Sequence, residues 1–173
     1  QWSEFGDWGE VARWAEPLYR TPASLSTALE AVVKRITATT THPAERLVAT
    51  LQFVQQEIRY LGVEIGAGSQ TPSPPDLVFQ RRFGDCKDKT LLTITLLQAL
   101  GIEAYPALVS TTTLRGISDQ QPNPGAFNHV IVQARIGDQR YWLDPTRAPQ
   151  SGTIKNIFQP DFYFYFLCHR NSF

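Results

Sequence analysis

The sequence predicts an α+β fold, and three observations carry that expectation. Apolar residues recur at helical spacing through the first third of the chain. A helix apolar on almost every side follows Asp85, and the later runs alternate in strand fashion around a turn dipeptide. Helices come first and strands later, the order of an α+β domain rather than of an alternating α/β one. With 173 residues, 42% of them apolar, the chain can bury one substantial core, so a single domain over residues 1–173 is expected.

The elements follow in order. Asp7 with Glu10 resembles a capping box, and Val11, Trp14 and Leu18 share one helical face that Pro17 should end early. A second stripe, Leu25, Leu29, Val32 and Ile36, closes at the Thr39 to Thr41 cluster, which suits a loop. Pro43 is placed as a first-turn proline for a third stripe of Leu47, Leu51, Val54 and Ile58. From Gly62 to Pro75, Gly66, Gly68, Pro72, Pro74 and Pro75 predict a long loop, a connector or a functional segment.

The segment from Arg82 then opens the central helix. Asp85 is its N-cap, Asp88 the box partner, and Lys87 with Asp88 reads as a solvated first turn. Leu91, Leu92, Leu96, Leu97 and Leu100 make the rest apolar, and Gly101 stops it. Ala104 to Ser110 reads as a strand. Phe127 to Ile136 and Arg140 to Asp144, joined by Gly137-Asp138, read as an antiparallel hairpin, and the aromatic tail from Ile154 is a candidate further strand.

Composition narrows the function. The 16 basic and 16 acidic residues balance, and Lys and Arg are scattered, which argues against a nucleic-acid or anionic-membrane surface. A peptide, protein or small-molecule partner is expected. No apolar run, including Phe162 to Phe166, approaches the roughly 18 residues of a membrane span. Gln1 in place of a starting methionine suggests a processed or excised piece of a larger protein. Two cysteines, Cys86 and Cys168, permit one disulfide, one reactive thiol beside a structural one, or two inert thiols. No CxxC or HxxxH spacing accompanies them, so neither a metal nor another cofactor is expected.

Three residues point to chemistry. Cys86 lies in the first turn of the central helix, where unpaired N–H groups favour negative charge, and the thiolate is the reactive form of cysteine. Most free cysteines are nonetheless small buried hydrophobes. His129 shares a strand face with Phe127, Ile131 and Gln133, and a histidine so placed is more often a satisfied core residue than a catalyst. The hairpin changes that balance. If Gly137-Asp138 is a two-residue turn, Asp144 stands opposite Ile131 and diagonal to His129, about 7 to 8 Å away between Cβ atoms. Pro145 ends the strand there, although an aspartate before proline is also a common turn residue. Nucleophile, base and orienting carboxylate are the parts of an acyl-transfer site.

The segments Gly84-Asp-Cys-Lys-Asp-Lys, Phe127-Asn-His-Val-Ile-Val and Tyr141-Trp-Leu-Asp-Pro-Thr resemble, in that order, the three catalytic blocks of the bacterial transglutaminase-like core family of the papain-like superfamily. The resemblance reaches upstream to Phe53-Val-Gln-Gln-Glu-Ile-Arg-Tyr and covers most of residues 44 to 148. It implies a papain/transglutaminase-like core in which the Cys-bearing helix packs on an antiparallel sheet, with Cys86, His129 and Asp144 as the triad. It also implies cysteine-dependent acyl transfer or hydrolysis of a peptide or glutamine amide through a thioester. Because similar domains include inactive members, a peptide-binding module on the same fold is the alternative. Envelope placement, beside other domains of a parent chain, is implied in the same way.

For the oxyanion, the backbone N–H of Cys86 is one donor by geometry, and Gln55 is the side-chain candidate, with Gln56 and Tyr60 as alternatives. Residues 151 to 173, with Cys168 and His169, have no counterpart in the resemblance, and His169 is not counted as an alternative base.

Overall fold

The computed structural model describes residues 3–62, 70–160 and 165–167, with positions 114, 115, 118 and 165–167 described for the backbone alone. Cys168, His169, and Gly66 and Gly68 of the long loop lie outside the described residues.

Helix α1 (Trp8–Ala15) begins at Asp7, which accepts from Glu10 N–H at 2.7 Å. Glu10 reaches back to Gly6 N–H, one residue earlier than a capping box requires. The chain tightens into a 3-10 turn over Glu16–Tyr19 at Pro17. Val11, Ala12 and Ala15 form the buried face, while Trp14 and Leu18, expected inward, are only half-buried because they line a cleft. Helix α2 (Thr27–Thr39) is capped by Ser26. Helix α3 (Pro43–Glu57) starts at its first-turn proline. Both stripes bury as their spacing predicts, except that Leu25 precedes α2 and is only partly buried.

Where they are described, residues 62 and 70–74 are loop, as expected, and the unexpected elements flank them. Strand β1 (Arg59–Tyr60) leads away, helix α4 (Pro75–Arg81) returns, and strand β2 (Phe83–Gly84) pairs parallel with β1. Pro72, Pro74 and Pro75 look alike as punctuation, yet Pro75 occupies a first helical turn with Asp76 beside it. Arg82, at φ 61°, closes α4 in the left-handed region.

Helix α5 (Cys86–Ala99) is the centre of the fold. The capping box between Asp85 and Asp88 is present, and Gly101 at φ +76° allows the chain to leave. One side of α5, with Leu92 and Leu96, packs against Leu29, Val32, Val54 and Val78 of the helices. The other, with Ile94 and Leu97, meets Val132, Ala134 and Leu143 of the sheet. Fully burying such an aliphatic side chain is worth about 1.5 to 3 kcal/mol, so the leucine run holds both layers to one helix.

The sheet comprises β3 (Glu103–Val109), β4 (His129–Ile136), β5 (Gln139–Leu143) and β6 (Tyr165–Leu167) in the order β5-β4-β3-β6, all antiparallel. The tail thus supplies a strand. Ile136 pairs with Gln139 and Val132 with Leu143, the register of a two-residue turn. Gly137 has φ +58° and Asp138 does not share it, the φ pattern of a type II′ turn with glycine first. Among the described residues no helix is long and apolar enough to cross a membrane.

Candidate active site

Cys86 is the first residue of α5, 4% exposed, and a free thiol. The cap determines which amide is left for chemistry. Asp85 Oδ1 accepts from Lys87 N–H (2.9 Å) and Asp88 N–H (3.2 Å), and Asp88 Oδ2 accepts from Asp85 N–H (3.3 Å). Of the four amides that a helix start leaves open, only that of Cys86 has no acceptor among the described residues. It is therefore available to a developing oxyanion.

The first turn is buried and not solvated as expected. Lys87, Asp88 and Lys89 are all enclosed. Lys87 Nζ pairs with Asp85 Oδ2 at 2.6 Å. Asp88 accepts from Ser73 N–H (2.7 Å) and pairs with Arg81, so α4 and the preceding loop clamp the turn. Lys89, 1% exposed, donates to the Ile58 carbonyl at 2.5 Å. Its burial lowers its pKa to about 8, partly opposed by the charge of Asp144. Gly84 permits the close approach: a Cβ there would lie 2.6 Å from Asp88 Cβ. The signal for this enclosure, a Ser73 and an Arg81 aimed at Asp88, has no sequence periodicity.

His129 opens β4, and Asp144 follows the last residue of β5. Their diagonal placement brings His129 Nε2 to 3.0 Å from Asp144 Oδ2. The other carboxylate oxygen accepts from Thr146 N–H (2.9 Å) and from its hydroxyl (2.6 Å), a turn contact that Asp-Pro-Thr could have signalled. Burial opposes the charge of Asp144, but the hydrogen bond and charge of His129 and the bonds from Thr146 prevail and lower its pKa. Burial likewise opposes protonation of His129. Hydrogen bonds to Asp144 and Cys86, with the charges of both, override it and raise its pKa to about 9. With Nε2 engaged by Asp144, Nδ1 is the nitrogen left for Cys86. Thr90 Oγ1 donates to the Val130 carbonyl at 3.1 Å, tying α5 to the residue after His129. Cys86, His129 and Asp144 thus converge.

Gln55 does not join them. Its Nε2 donates to the Asp144 carbonyl (3.1 Å) and its Oε1 accepts from Gln150 N–H (3.0 Å), so the amide braces the turn after β5 instead of facing an oxyanion. Gln56 and Tyr60 are exposed, and neither lines the cleft. That cleft, about 230 Å³, opens onto Cys86 and His129. Gln70 also lines it, exposed and without a hydrogen bond to another described residue. Asn128, also there, is tied to Thr111 through both ends of its amide.

A family profile described as the transglutaminase-like superfamily matches residues 30–145. No curated protein matches. Among solved structures, one described as a candidate protease from Parabacteroides distasonis superposes with a TM-score of 0.65 at 13% identity, over 80% of this chain and 26% of that one. A candidate cysteine protease from Cytophaga hutchinsonii superposes with a TM-score of 0.53 at 20% identity, over 77% of this chain and 42% of that one. At such identities the likeness concerns the fold. The chain spans about a quarter of the first structure and under half of the second.

Proposed function

The chain belongs to the transglutaminase-like superfamily, and from that premise we propose that it performs cysteine-dependent acyl transfer or hydrolysis on a peptide or glutamine amide, with Cys86 as nucleophile, His129 as general acid and base, and Asp144 orienting the imidazole. The observation that carries this reading is the convergence of a buried free thiol, a histidine bonded to a carboxylate at 3.0 Å, and a cleft opening onto both.

The chemistry follows from the geometry. The Cys86 sulfur attacks the carbonyl carbon as the thiolate, its proton held on His129, and the oxygen takes the negative charge toward the Cys86 N–H. His129, protonated up to about pH 9, gives its proton to the leaving amine as the C–N bond breaks. A water or amine then loses a proton to His129 and attacks the thioester, and the sulfur leaves. Asp144 keeps the ring in place through both halves, as its own bonds from Thr146 fix the carboxylate. In this reading the chain is one catalytic domain of a longer envelope protein, acting on a peptide or protein.

The test is alkylation of Cys86 by iodoacetamide across pH, followed by mass spectrometry, in the wild type and in His129→Ala. Rapid alkylation at neutral pH that slows at least about tenfold in His129→Ala supports a catalytic pair. Alkylation at the rate of a simple thiol, whatever stands at 129, would overturn it and leave a binding module on the same fold.

A further inference from the structure

The cleft at Cys86 is smaller than the roughly 300 to 1,000 Å³ of a typical small-molecule site, and at about 230 Å³ it suits one side chain with its adjoining backbone. Trp14 and Leu18 build one wall, and Leu108, Phe127 and Val130 the other. An edge-to-face contact between Trp8 and Phe127, with centroids 5.6 Å apart, joins α1 to the second wall. No carboxylate lines the cleft among the described residues. Its two cationic side chains are already engaged, Lys87 by Asp85 and His129 by Asp144.

Resting on the acyl-transfer reading, we propose that this cleft selects the acyl donor: it takes an uncharged apolar side chain of leucine or phenylalanine size beside the attacked carbonyl, with Trp14 and Leu18 as specificity-determining residues. A leucine or phenylalanine exchanges water for the apolar walls. A lysine or arginine loses its hydration with no carboxylate among the described lining residues to receive it, and an aspartate or glutamate finds both cations occupied.

Peptidyl chloromethyl ketones identical except for one side chain, Leu, Phe, Lys or Glu, test this. The Cys86 sulfur displaces chloride, forming a C–S bond as the C–Cl bond breaks, and mass spectrometry follows the rate. The Leu and Phe reagents should react at least about tenfold faster than the Lys and Glu reagents. In Leu18→Glu the Lys reagent should overtake the Glu reagent by a similar factor, and Trp14→Ala should shrink the Leu-to-Lys ratio. Equal rates for all four reagents in the wild type, or an unchanged ranking in a folded Leu18→Glu, overturn the proposal. Iodoacetamide, which carries no side chain, separates the two failures. If it alkylates Cys86 in a His129-dependent way while the ketones show no preference, only the selectivity is wrong. If that dependence is also missing, the acyl-transfer reading fails with it.

Discussion

The hairpin that carries His129 and Asp144 and the first turn of α5 that carries Cys86 supply the two halves of one site by different means. In the hairpin, a two-residue turn sets the register, and the register alone puts an imidazole diagonal to a carboxylate. In the first turn, three charged side chains beside Cys86 are buried, and each is held by a different part of the chain: Lys87 by Asp85, Asp88 by Ser73 and Arg81, Lys89 by Ile58. The difference teaches where the site is robust. A hairpin tolerates change outside its turn, whereas a buried ionic turn fails when one partner is removed.

Asp88→Ala gives the largest expected effect. It leaves Arg81 and two backbone N–H groups without their acceptor, at a cost of about 3 to 5 kcal/mol in denaturant unfolding. A loss below about 1 kcal/mol would mean that the turn is not held by this network.

The two halves should also respond to pH with opposite sign. His129 has a folded pKa of about 9, above its ordinary 6.5, so it binds more protons when folded between those values. Its contribution is full below pH 6.5 and is lost as pH rises through about 9. Lys89 has a folded pKa of about 8, below its ordinary 10.5, so the unfolded chain binds more protons between them. Its penalty is full below pH 8 and is relieved as pH climbs toward 10.5. Each window spans about the same range and amounts to about 3 kcal/mol. Stability curves of His129→Gln and Lys89→Met against the wild type should lose the fall and the rise respectively, and parallel curves would refute the assignment.

Gly84→Ala should cost about 1 to 3 kcal/mol in thermal unfolding, because the added Cβ meets Asp88 Cβ at 2.6 Å and forces the capping box apart. Gly137→Ala, in the hairpin, meets no atom within 4 Å and carries only the strain of φ +58°, about 1 kcal/mol. If Gly137→Ala proved the costlier of the two, the contrast between the halves would be reversed.

Legibility followed the same division. Helices α2 and α3 are readable because their apolar residues repeat at the helical period, α5 because a cap at Asp85 opens a run apolar on almost every side, and the hairpin because a glycine-led dipeptide divides two alternating runs. Helix α4 was hidden because a first-turn proline and a loop proline look the same without their partners. The cleft wall is not distinguishable from a packed face in the sequence. Trp14 and Leu18 have the spacing of a buried stripe, and spacing does not tell a packed face from one that lines an opening. A helix pattern gives a polar residue no direction, so the sequence does not tell that the Gln55 amide braces Asp144 rather than facing an oxyanion.

The sequence by itself determined the order of helices and strands, the cap that starts α5 at Cys86, and the pairing of His129 with Asp144, since each rests on contacts a few residues apart or on one turn. Only the tertiary structure decided that Cys86 meets His129, that three charges lie buried beside it, and that Trp14, Leu18 and Gln70 face the cleft. Those contacts join segments distant along the chain. Local propensity carries no information about them, because they arise when α5 is packed between two layers and its N-terminus is brought to the open end of the sheet.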